Sequence, residues 1–335
     1  MAQVTAHATE QLDEASPDSE AAGPRIRDEH FWFEDGNLIL LARNVEFRVY
    51  RGLLMKHSPV FRDILSIPIA DGDLKDNSVQ SLTRDAEGVP ILVLSDSPEA
   101  LRHLLHIVGM GGDLHFRLRD DGQAIHQISA VVRLGHKYQL DGLVEQALEQ
   151  LKARYPSELT EWIDAFPRNA HIAPRHSILA INLARLTGTT SVLPAALLEC
   201  CTLDIDQLLA GVDSGALERL SDADFRLVLV ARTDLIHAHN AALFRVLGQL
   251  AGARCTAPAD CSKTQLKAYA AFGPRWVAGA MDLCTRFTTN WLDVRVENAA
   301  PIRSMLCTVC EERMGRDLAG HRQQLWDVVV ELLWR

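Results

Sequence analysis

The most informative patterning in the chain lies between residues 37 and 65. NLILLA (37–42) is a continuous apolar run of strand length, and Arg43-Asn44 supplies a turn. VEFRVY (45–50) then returns with strict alternation, Phe47 and Val49 on one face, Arg48 and Tyr50 on the other. The alternation gives way to Leu53-Leu54-Met55 and stops at Ser58-Pro59. That dipeptide predicts a helix start: serine accepts from orphan amides, and proline at the first helical position forfeits no hydrogen bond. Val60, Phe61, Ile64 and Leu65 recur at helical spacing, and residues 68–88 are polar and loop-like. VPILVL (89–94) predicts an inner strand, and Pro98-Glu99 opens a helix with Leu101, Leu104, Leu105 and Val108 on one face. Helical stretches around Ile125–Leu134 and Leu143–Leu151 follow, closed by Pro156.

Beyond Pro156 the period is helical throughout and no strand is predicted. The segments are 162–166, 178–186, 192–201, 225–235, 241–250, 266–271, 281–292 and 325–334, and Ser221 with Asp224 resembles a capping box. Residues 1–28 are polar, acidic and broken by Pro17 and Pro24, so they bury too little apolar surface to offset ordering entropy. The predicted organisation is a disordered leader (1–28), an α+β domain with a short mixed sheet flanked by helices (29–157), and an all-helical C-terminal domain (158–335).

The order strand, strand, helix, Ser-Pro helix, strand, helix resembles a BTB/POZ domain, closest in style to fungal members, over residues 28–155. FWFEDGNLILLARNVEFRVYRGLLMKHSPVFRDIL carries most of the likeness, with Phe47, Leu53, Leu54, Ser58, Pro59, Val60 and Phe61 where the pattern wants them. ILVLSDSPEALRHLLHIV resembles the later strand and helix, and AVVRLGHKYQLDGLVEQAL the closing helical pair. Two departures stand out: Tyr50 occupies a common histidine position, and Val108-Gly109-Met110-Gly111-Gly112 replaces an aromatic-Thr-Gly phrase.

The resemblance implies a protein-interaction module that homodimerises through its first helix, which here places Arg51, Leu53, Leu54, Met55 and His57 at the interface. It also implies, for many members, a role as substrate adaptor of a cullin-based ubiquitin ligase. GMGGDLHF lacks the glutamate that cullin binding uses, which argues against recruitment. A transcriptional or chromatin corepressor scaffold is the competing class. Independently of family, three successive apolar residues on one helical turn lie about 100° apart, so Leu53-Leu54-Met55 cannot all point inward.

Charge and composition narrow the partners. The formal net charge is -10 with no basic stripe, which argues against nucleic acid and leaves self and an unidentified protein as partners. No segment approaches the ~20 apolar residues of a membrane span, and the N-terminus lacks the features of a signal or transit peptide. Seven cysteines, an odd number with Cys200-Cys201 adjacent, suit a reducing cytoplasmic or nuclear setting.

Catalytic motifs are missing: no G-x-S-x-G elbow, phosphate-binding loop or dinucleotide fingerprint occurs, so an enzyme is not expected. The best metal candidate is Cys307-x2-Cys310 with Cys255 and Cys261, a soft thiolate set suited to structural zinc, with Cys284 and His321 as further ligands to consider. The competing expectation is stronger on sequence alone. Cys307 and Cys310 stand i, i+3 on an apolar helix, where free cysteine behaves as a small buried hydrophobe. Cys200 and Cys201 are expected to pack in the core, and the tryptophans to anchor helices.

Overall fold

The computed structural model describes residues 24–66, 82–109, 123–165, 173–215, 217–277, 293, 295–296 and 300–334. The chain divides into two compact units: Met1–Arg51 with Ile69–Pro98, and Gly52–Pro68 with Glu99–Arg335. The fold is mixed α+β, a small sheet in the first unit and a helical assembly in the second.

The first unit is a five-stranded mixed sheet of order β1-β3-β2-β5-β4, built from β1 (Ile26–Trp32), β2 (Leu38–Ala42), β3 (Val45–Val49), β4 (Leu82–Arg84) and β5 (Pro90–Leu94). Every residue of β2 is buried, which explains its unbroken apolar run: it sits in the middle, antiparallel to β3 and parallel to β5. β3 buries Phe47 and Val49, the face its alternation predicts. Arg43 takes φ 55° in the β2–β3 hairpin, a tight connection that needs one left-handed residue.

Both edge strands go beyond the sequence expectation. β1 starts at Ile26, inside the segment expected to be disordered, and runs parallel to β3; buried Asp28 accepts from the amides of His30 and Phe31. β4 has three residues antiparallel to β5, too few to show a period. The Arg27 guanidinium lies 4.3 Å from the Trp32 ring centroid on β1.

The second unit begins at Gly52, within α1 (Arg51–His57), and continues into α2 (Pro59–Ser66), parted from α1 by Ser58 alone. The Ser58 hydroxyl accepts from the Phe61 amide at 3.0 Å and donates to the Tyr138 carbonyl at 2.6 Å, so one buried side chain caps α2 and ties it to the end of α4. The Phe61 and Tyr138 rings stack at 4.4 Å. α3 (Pro98–Gly109), α4 (Gln123–Lys137), α5 (Asp141–Arg154), α6 (Leu159–Ala165), α7 (Ser177–Thr187), α8 (Leu193–Cys200) and α9 (Ile205–Ala210) continue the unit. Arg154 of α5 meets Glu199 of α8 in a buried two-bond ion pair at 2.8 and 2.9 Å, linking helices on either side of residue 157.

After Pro156 two short two-stranded ladders occur where no strand was predicted: β6 (Val212–Asp213) with β7 (Leu217–Glu218), and β8 (Arg295–Val296) with β9 (Ala300–Pro301). Two-residue strands leave no periodic trace. Gly211 feeds the β6–β7 ladder at φ 72°, and a Cβ there would run into the Glu218 carbonyl. The stretches 225–235 and 241–250 belong to one 27-residue helix, α10 (Asp222–Gly248), since the polar HAHN between them holds neither Gly nor Pro to stop it. α11 (Pro258–Val277) and α12 (Thr308–Leu333) complete the unit, and α12 starts well before the 325–334 segment. The expected helix at 281–292 lies outside the described residues.

Candidate metal centre

Four thiols meet at the starts of α11 and α12. Pro258 at the first helical position sets the beginning of α11 and puts Cys261 in its first turn, with Cys255 in the preceding loop. Cys307 is the N-cap of α12 and Cys310 lies one turn in. The α10–α11 connection turns back through Ala251 at φ 60°, and Arg313 donates to the Gln249 carbonyl at 3.0 Å, which ties this loop to α12. The Thr264 hydroxyl donates to the Met305 carbonyl at 3.0 Å, fixing α11 against the Ile302–Met305 turn.

The four sulfurs of Cys255, Cys261, Cys307 and Cys310 all lie within 4.8 Å of one another, and those of Cys255 and Cys307 are 3.7 Å apart. A tetrahedral zinc with Zn–S bonds of about 2.3 Å spaces its sulfurs about 3.8 Å apart. All four are free thiols; Cys261 and Cys310 are buried, Cys255 and Cys307 half-buried. Beneath them lies a local apolar cluster that includes Leu247, Leu250, Ile302, Met314 and Leu318.

The electrostatics differ from one sulfur to the next. The Thr256 hydroxyl and the Cys310 amide hold the Cys307 thiol down to about 5. The Cys307 amide in turn donates to the Cys261 sulfur at 3.4 Å. Burial pushes Cys261 up to about 12 and Cys310 upward. A bound divalent ion deprotonates its thiols outright. The N-termini of two long helices, whose partial charge is positive, open beside the cluster.

The packing expectation for Cys307 and Cys310 therefore fails on one point: Cys307 does not stand on the helix but precedes it as the N-cap. The structure brings together the two cysteine pairs and leaves His321 out, since its ring faces His239 of α10 at 3.2 Å. Cys284 lies outside the described residues. Cys200 and Cys201 are fully buried, Cys200 against the Ser177 hydroxyl and Cys201 against the Val228 carbonyl, and burial pushes both thiols up, Cys200 to about 12.

At α1, Arg51 is exposed, Leu53, Met55 and His57 are half-buried, and Leu54 is buried. The apolar triple thus divides as helical geometry requires, with Leu54 committed to the core. The phrase read for cullin binding spans residues 109–116, and all of it after Gly109 lies outside the described residues. No helix among the described residues is long and apolar enough to cross a membrane. No protein-family model, curated protein or solved structure matches the chain.

Proposed function

We propose that the chain is a non-enzymatic interaction module, BTB/POZ-like in its first half, whose helical half is closed by one structural zinc on Cys255, Cys261, Cys307 and Cys310. The observation that carries the metal is the mutual spacing of the four sulfurs, all within 4.8 Å of one another with one pair at 3.7 Å, which a tetrahedral zinc would draw in to about 3.8 Å. Four protein ligands leave no open position for substrate or water, so the ion's role is structural: it would join the loop after α10 and the start of α11 to the start of α12, with Cys307 52 positions beyond Cys255. In the interaction reading the helical half presents a rigid surface to a protein partner, and the ion maintains that surface. Unfolding of the full chain in urea, with and without a high-affinity zinc chelator, tests it. The chelator is expected to lower the transition, and added zinc to restore it; an unchanged transition contradicts the metal.

The BTB/POZ-like reading draws support from the strand and helix order of the first 109 residues and from a hairpin whose buried face is the one the pattern requires. Self-association would use Arg51, Leu53, Met55 and His57, with Leu54 acting from within the core. Light scattering across a dilution series on the full chain and on Leu53→Asp separates the cases: a dimer that this change turns into a folded monomer places the interface on α1, and a monomer at every concentration removes it. Adaptor of a cullin-based ligase and corepressor scaffold remain the two narrower readings of the module, divided by whether the full chain captures a purified cullin.

A further inference from the structure

The strongest polar cluster apart from the thiols surrounds an open cleft of about 890 Å³, lined by Arg133 of α4, Asn182 and Arg185 of α7, and Arg219, Ser221 and Asp224 at the entry to α10. Two of its arginines are held by acids, the half-buried Glu218 and the buried Asp224. Arg133 forms two bonds with Glu218, through Nε at 3.0 Å and through Nη2. Glu218 also accepts from Asn182 at 3.1 Å, Ser214 at 3.0 Å and Ser129 at 3.4 Å. Arg185 donates from Nε and Nη2 to one oxygen of Asp224, whose other oxygen accepts from the Ser221 hydroxyl at 2.8 Å. Arg219 gives only its Nε, to the Leu209 carbonyl at 2.9 Å.

Counting donors shows what the cleft lacks. The Nη1 groups of Arg133 and Arg185 and both terminal nitrogens of Arg219 have no acceptor among the described residues. The amides of Asp222 and Ala223 open the 27-residue α10 and stand outside its hydrogen-bond ladder. The three guanidinium groups stand with the carboxylates of Glu218, Asp224 and, at the first position of α10, Asp222, so the cleft offers an excess of hydrogen-bond donors rather than of net charge. Glu218 and Asp224 fix the planar forks in place, so little side-chain entropy remains to be lost when an anion arrives.

We propose that this cleft binds a phosphoryl dianion, with Arg133, Arg185 and Arg219 as its ligands and the α10 N-terminus completing the cradle. The free donors outnumber what a carboxylate can accept and suit the three terminal oxygens of a phosphate monoester. A phosphorylated side chain of a partner and a free phosphate compound share this chemistry.

The test uses the full chain. Inorganic phosphate is titrated by calorimetry, and a labelled phosphoserine peptide and its unphosphorylated counterpart by fluorescence anisotropy. Arg219→Ala, at an exposed residue with one backbone bond, leaves the fold intact, which its melting temperature checks. Saturable binding is expected, weakened at least about tenfold in Arg219→Ala and in part restored in Arg219→Lys. Tighter binding of the phosphopeptide than of inorganic phosphate identifies a partner's side chain as the source, and the reverse order a free phosphate compound. Absence of saturable binding by either probe, equal binding by Arg219→Ala, or equal binding of the unphosphorylated peptide would overturn the proposal.

Discussion

Replacing Glu199 by Gln tests how the helical unit is held together. Arg154 and Glu199 are 5% and 3% exposed at the side chain, and their two hydrogen bonds run at 2.8 and 2.9 Å. Gln keeps the volume and can still accept one bond, but it leaves the Arg154 charge buried without its counterion. Breaking a buried pair from one side costs about 3–5 kcal/mol, whereas replacing both partners by apolar groups of similar volume is close to neutral. Glu199→Gln is expected to cost about 3–5 kcal/mol, and a cycle extends it: Glu199→Leu and Arg154→Met each cost about 3–5 kcal/mol, and the two together cost much less than their sum. Urea unfolding followed by tryptophan fluorescence reads this directly, because Trp162 and Trp326 sit in the same unit with ring centroids 6.1 Å apart. A single-variant cost below about 1 kcal/mol would show that water reaches the pair and would refute the reasoning.

Ser58→Ala removes the α2 cap and strands the Tyr138 carbonyl, so it should cost about 1–3 kcal/mol in thermal unfolding. Leu54→Ala should cost about 2–5 kcal/mol in urea unfolding whether or not the chain self-associates, since Leu54 is core; a negligible cost would contradict its burial. Burial holds His176 and His321 down to about 4 in the folded chain, below the ordinary histidine value of 6.5. The unfolded chain takes up these protons first, so this stability is present above about pH 6.5 and is lost as pH falls toward 4. The urea midpoint should drop over that window and drop less in His321→Gln; equal pH dependence in both would contradict the assignment.

Local patterns were legible in the sequence. The buried strand β2, the alternating β3 and the Ser-Pro start of α2 each write their environment into successive residues. Edge and short elements were not: β1 and β4 owe their strand state to neighbours distant in sequence, and β6 and β7 are two residues each. The candidate metal residues were all named, yet the sequence reading favoured packing. Which pairs meet depends on the turn at Ala251 and on α12 starting at Thr308, where a helical reading of Cys307 points its sulfur elsewhere. The arginine cleft had no local signature, because Arg133, Arg185 and Arg219 come from three separate elements.

The central claim is that four thiols form one tetrahedral metal centre, and metal content tests it most directly. The purified full chain would be analysed by plasma mass spectrometry for zinc, alongside Cys261→Ser. The account predicts one zinc per wild-type chain, resistant to dialysis, and loss of that zinc in Cys261→Ser. A folded wild-type chain that carries no metal, and takes up none when zinc is supplied, would contradict it.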